Sequence, residues 1–210
     1  RGTRLMRRFW ISSVATVALL ASLSASPASA ENWPRFRGEN GVGVSSEKGF
    51  PAPWSAGDYL WNIELPGVGH ASPVTWGDKL FVTSATDEGA IRYLFCLNPE
   101  DGSVIWTRTI GMNRSPKHEK SSWASGSPCT DGEHVYVSFA DKESYLLDCY
   151  TMKGELVWRR NFGTFESQHG VGVSPIIVDD LVIVQNDQDG PSSIIAVDKR
   201  TGKTRWRTLR

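Results

Sequence analysis

The chain alternates short apolar runs with polar breaks. Stretches such as 79–85 (KLFVTSA), 135–139 (VYVSF) and 181–185 (LVIVQ) mix β-branched and aromatic residues. Runs of this kind, bounded by Gly, Pro, Asn and Asp, predict strands. No window beyond residue 30 sustains the 3.6-residue apolar period of a helix. The pairs Gly77-Asp78, Asp131-Gly132 and Asp179-Asp180 suit two-residue hairpin turns. Pro73, Pro128 and Pro175 each follow a serine and open a run. Proline has no amide for a ladder, so it belongs at a strand's first residue.

These signals recur. The segments 96–106 (CLNPEDGSVIW), 149–158 (CYTMKGELVW) and 196–206 (AVDKRTGKTRW) all place a glycine four residues before a tryptophan. A partial copy, 58–67 (DYLWNIELPG), keeps the tryptophan and lacks the turn. Trp61, Trp106, Trp158 and Trp206 stand 45, 52 and 48 residues apart. Each full copy, joined to its Ser-Pro run, reads as four short antiparallel strands. Four-stranded units at this period predict an all-β fold, a β-propeller of four-stranded antiparallel blades. The blades fall at 71–110, 124–163 and 172–210, with a lone closing strand at 58–66 and an N-terminal extension at 31–57. The four tryptophans are the expected docking residues between sheets.

The segment 196–206 fits the pattern Ala-x-Asp-x-x-Thr-Gly-x-x-x-Trp and resembles the tryptophan-docking repeat of quinoprotein-type propellers. With 32–45 (NWPRFRGENGVGVS) and 69–85, the chain is similar over residues 32–210 to PQQ-binding-like (quinoprotein alcohol dehydrogenase-like) β-propeller repeat proteins. That group includes quinone-dependent alcohol dehydrogenases and the lipoprotein of the outer-membrane β-barrel assembly machinery. Two turns depart from the pattern: Asn98 replaces the aspartate in one, and the turn at 151–154 is one residue shorter. Propellers close with about four to eight blades. Three blades and a lone strand therefore predict part of a larger ring, and bare blade faces are expected to make the isolated 210-residue chain aggregate or oligomerise.

The N-terminus changes the picture of where the protein works. Met6 is the expected start, Arg7-Arg8 a basic flank, 9–23 an apolar run, and Ala28-Ser29-Ala30 a small-x-small cleavage site. Residues 1–30 thus predict a signal peptide, and the protein is expected to be periplasmic or secreted, with no membrane span after cleavage. Glu31-Asn32 follow the site instead of a cysteine, so lipidation is not supported. Removing residues 1–30 takes four arginines and no acids, leaving 19 basic and 23 acidic residues, a net −4. No basic patch points to nucleic acid. Cys96, Cys129 and Cys149 show no Cys-x-x-Cys spacing. Cys129 and Cys149 fall in the first and third strands of one blade, about 10 Å apart at 4.8 Å per strand, too far for a disulfide. All three are expected to be small buried hydrophobes.

Strand order assigns loops to faces. Loops after the second and fourth strands of each blade share one rim, here the top, and they are the long ones: 67–70, 111–126 and 163–172 between blades, with 86–89, 140–144 and 186–192 inside them. Long loops on a rigid scaffold are where binding concentrates. His70, Ser72, Trp123, Ser125, His169, Asp187 and Asp189 are the candidate top-face binding residues, with His118 beside them. His134 falls at a bottom turn. Residues 186–190 (NDQDG) lack the remaining ligands and distal glutamate of a calcium loop and read as a turn. No metal site, catalytic residue or resident cofactor is expected. The leading reading is an exported, non-catalytic binding or scaffold module for a protein, peptide or polysaccharide. The resemblance also implies two alternatives: a PQQ-dependent alcohol or sugar dehydrogenase using calcium, or an extracellular sensor domain of a larger protein. The adjacent cysteine pair typical of the quinone dehydrogenases is missing.

Overall fold

The computed structural model describes residues 31–210, so the predicted signal peptide lies outside the described residues. Among the described residues are three four-stranded antiparallel sheets and two three-residue 3₁₀ turns, Ala56–Asp58 and Asp87–Gly89. No helix there is long and apolar enough to cross a membrane. Sheet one holds β1 (Val74–Trp76), β2 (Lys79–Thr86), β3 (Ile91–Leu97) and β4 (Val104–Gly111) in sequence order. Sheet two holds β5 (Cys129–Thr130), β6 (His134–Ala140), β7 (Tyr145–Thr151) and β8 (Leu156–Asn161). Sheet three holds β9 (Ile176–Val178), β10 (Leu181–Asn186), β11 (Ser193–Asp198) and β12 (Thr204–Leu209). The first strands touch from sheet to sheet, β1 against β5 and β5 against β9, which gathers them toward a common axis as propeller blades require.

Two apolar clusters fill the gaps between sheets. Phe81, Leu94, Cys96 and Ile110 of sheet one meet Val135, Val137 and Phe139 of sheet two. Tyr136, Tyr145, Leu147 and Cys149 meet Val182, Val184, Ile195 and Val197 of sheet three. The middle strands β6 and β7 are buried along nearly their whole length, because sheet two is covered on both faces. The outer strand β12 is exposed throughout.

The junctions are locked as the repeat predicts. Trp61 Nε1 donates to Pro99 O (2.7 Å), Trp106 Nε1 to Met152 O (3.1 Å) and Trp158 Nε1 to Lys199 O (3.0 Å). Each indole then lies on the glycine of the next repeat's turn. A methyl built on Gly102, Gly154 or Gly202 would sit 2.7 to 2.8 Å from Trp61, Trp106 or Trp158. These glycines also hold φ of 73°, 82° and 69°, so both the close approach and the left-handed backbone require glycine. The shortened turn is absorbed by moving the accepting carbonyl from three residues before the glycine to two. Asn98 replaces the aspartate without loss, since its Oδ1 still accepts the Glu100 amide (2.9 Å).

Three expectations are corrected. Residues 58–66 form no strand; no sheet among the described residues offers them an edge, and only Trp61 docks. The turn in sheet two centres on Gly132-Glu133, one residue later than Asp131-Gly132, because Thr130 pairs with Val135 and Gly132 supplies the positive φ of 84°. The extension also joins the hub. Trp33 exchanges two backbone hydrogen bonds with Thr75 on the inner edge of β1 (3.0 Å each), Pro34 O accepts the Thr130 amide (2.9 Å), and Asn32 Oδ1 accepts the Gly77 amide (2.8 Å).

Candidate functional site

The long loops do share one rim. The Met112 amide donates to Ala90 O (2.8 Å) and the Ser115 amide to Glu88 O (3.1 Å), joining the loop after β4 to the β2–β3 connection. The Asn113 amide donates to Asp141 Oδ2 (2.6 Å), reaching into sheet two. The Asp189 amide donates to Glu166 O (2.7 Å), reaching sheet three.

Between the loops 111–126 and 163–172 lies a groove of about 440 Å³. Its floor is apolar: Ala140, Phe165 and Val171, all buried. Its walls are Ser115 and Pro116 on one side, Glu166 to Gly170 on the other, with Asp141 and Lys142 at the end. A volume in the few-hundred Å³ range with an apolar floor and a few polar groups is the usual form of a ligand site. Asp141 is a strut here and not a free acid. Its carboxylate accepts the amides of Asn113, Glu143 (2.8 Å) and Ser144 (2.7 Å), which leaves little capacity for a ligand. Behind it, the fully buried Arg92 donates to Gly89 O and to Ala140 O (3.1 Å), tying sheet one to sheet two under the groove. Burial pushes the Arg92 guanidinium down to about 10, partly opposed by Asp141.

The candidates divide. His118 and His169 come together, ring centroids 5.0 Å apart, each within a few residues of a groove wall. Asp189 supports that wall, its Oδ2 accepting the Gln168 amide (3.2 Å). His70 and Ser72 lie at the junction of the first two sheets, where the His70 amide donates to Ala124 O (3.1 Å) and the Ser72 amide to Ser127 Oγ (2.9 Å). Ser125 spends its hydroxyl on Ser122, donating to its carbonyl (3.0 Å). Trp123 is a lock: its ring lies on Gly89 beneath the Lys117 ammonium (5.1 Å), and its Nε1 donates to Ser115 O (2.7 Å). Asp187 pairs with Arg210 (2.7 Å) and does not line the groove. Sequence reasoning missed Arg92, Lys142 and Phe165. The loop 140–144 was the signal for Lys142; nothing in the chain marks an arginine inside a strand as buried.

Asp131, Glu133 and His134 form a small acidic and imidazole group at the bottom turn. Asp131 is already engaged, by the Glu133 and His134 amides and by Lys199 (3.2 Å). The three cysteines are free and buried within sheets. Desolvation pushes the Cys96 and Cys149 thiols up to about 12, and raises Cys129 further.

Radially gathered four-stranded sheets, each locked to the next by an indole on a turn glycine, define a tryptophan-docking β-propeller of the quinoprotein type. Residues 52–209 match the family described as outer membrane protein assembly factor BamB, and the chain belongs to that family. It is also 25% identical over 190 residues to the polyvinylalcohol dehydrogenase of a Pseudomonas species, across 80% of this chain and 28% of that protein. Among solved structures, a europium-containing methanol dehydrogenase aligns with TM-score 0.52 and 15% identity over 67% of this chain and 25% of that one. BamB from Moraxella catarrhalis aligns at 0.43 and 17%, over 71% and 54%. The chain thus spans about a quarter of the two dehydrogenases.

Proposed function

We propose that the chain is part of an exported, non-catalytic propeller that binds a protein or peptide segment, or a polysaccharide, through its upper rim. The observation that carries this reading is the groove between the loops 111–126 and 163–172, with its buried apolar floor of Phe165 and Val171. Membership in a family described as an assembly factor supports a binding role. A photocrosslinking side chain placed at Gln168 in the full-length protein is expected to capture a partner. The same group at Glu133, on the opposite face, is expected to capture none. Ser167→Trp, which fills the groove, is expected to weaken capture at Gln168 about tenfold, or about 1.4 kcal/mol. Equal capture at both faces would sink the reading.

The match to polyvinylalcohol dehydrogenase supports a second reading, a PQQ-dependent alcohol or sugar dehydrogenase. The residues described here do not fit the cofactor chemistry of that class. All three thiols are held protonated inside sheets, and Asp141 at the groove is already engaged by three amides. A cofactor spectrum and dye reduction on adding PQQ and calcium to the full-length protein would restore the enzyme reading.

A further inference from the structure

Three contacts recur wherever one sheet meets the next. An indole N–H reaches a turn carbonyl, as Trp106 does to Met152 and Trp158 to Lys199. The same ring lies on the left-handed glycine of that turn, Gly154 or Gly202. Nearer the axis, a serine amide donates to the hydroxyl of the next Ser-Pro pair: Ser72 to Ser127 Oγ and Ser127 to Ser174 Oγ, both 2.9 Å. The third contact is a relay that the sequence shows only as a repeated Ser-Pro dipeptide.

At the far side of sheet three the donor halves of all three contacts stand open. Trp206 is 41% exposed, and neither its Nε1 nor the Ser174 amide has a hydrogen-bond partner among the described residues. Val178 and Leu209 on the same sheet are exposed as well, at 44% and 73%. The acceptor halves are all taken: Gly102 lies under Trp61, Gly154 under Trp106 and Gly202 under Trp158. Four docking indoles therefore face three docking turns.

We propose that this side of sheet three is a docking surface for one further four-stranded repeat of the same design. It must present a left-handed glycine beneath Trp206, a carbonyl two or three residues before it for Nε1–H, and a hydroxyl for the Ser174 amide. A second copy of this chain is the wrong occupant, because each of its three turns already carries an indole of its own. The surface is specific because a side chain at the glycine would strike the ring, and a repeat lacking the hydroxyl would leave the Ser174 amide without an acceptor.

The probe for this surface is the chain's own third repeat, residues 164–210 repeated once after Arg210 in the otherwise unchanged protein. Hydroxyl-radical footprinting read by mass spectrometry reports Trp206 separately from the other tryptophans. Oxidation of Trp206 is expected to fall to the level of Trp106 and Trp158, and the thermal midpoint to rise by about 4 °C or more. Replacing the appended repeat's turn glycine, the counterpart of Gly202, by valine is expected to return Trp206 to its original reactivity. The proposal is overturned if Trp206 stays as reactive as in the unextended chain, or if the valine variant protects it equally. It is also overturned if the unextended chain self-associates in light scattering and shields Trp206 unaided.

Discussion

Single residues show why this chain needs so many tryptophans and glycines. Six of the nine tryptophans, Trp33, Trp61, Trp76, Trp106, Trp123 and Trp158, lie on a glycine of positive φ. A flat ring covers most apolar area when nothing projects beneath it, which is why ring and glycine go together. Cys96 and Cys149 follow from the same packing. Each stands directly opposite a docking indole, Trp106 or Trp158, and the matching position in sheet three is Ala196 opposite Trp206. Small size is what the site demands, so reading the cysteines as small hydrophobes holds. With thiol pKa values pushed up to about 12, Cys96 and Cys149 stay protonated across the neutral range. Iodoacetamide at pH 8 is expected to label none of the three cysteines in the native protein and all three in denaturant. Rapid native labelling would show that the sheets open.

Elements add cooperation between neighbouring repeats. Lys199 in the turn of sheet three accepts both Trp158 Nε1 and the Tyr136 hydroxyl (3.3 Å), while its ammonium pairs with Asp131. One residue of sheet three thus holds three of sheet two. Trp158→Phe keeps most of the buried area and loses one hydrogen bond, so it is expected to cost about 1 kcal/mol. Trp158→Ala empties the site and is expected to cost about 3 to 5 kcal/mol. Chemical denaturation of the two variants checks the gap between them; equal losses would mean the ring's area is not what stabilises the junction. Within sheet two, the buried Asp148 receives Arg159 bidentately (2.6 Å twice) and the Tyr150 hydroxyl (2.8 Å). A carboxylate on a central strand reads from sequence as an exposed position, and only its cross-strand partner explains its burial.

At the scale of the whole molecule, residues 32–34 bind the inner strands of sheets one and two at the bottom of the axis, opposite the grooved rim. Trp33→Ala is expected to lower the stability of the full-length protein by about 3 kcal/mol and leave capture at Gln168 unchanged, as thermal melting and crosslinking would show. Loss of capture would mean that the two ends of the axis are coupled. The sequence by itself determined the strands, the four-strand period, the Trp-to-Gly locks and which loops share a rim. These are local or repeating properties, and a repeat states each of them more than once. The tertiary structure alone decided that Trp123 is a lock, that Asp141 is a strut, that Arg92 is buried, and that segment 58–66 finds no edge. Those outcomes depend on which group from a distant segment arrives at each position. A single chain position carries no record of that neighbour.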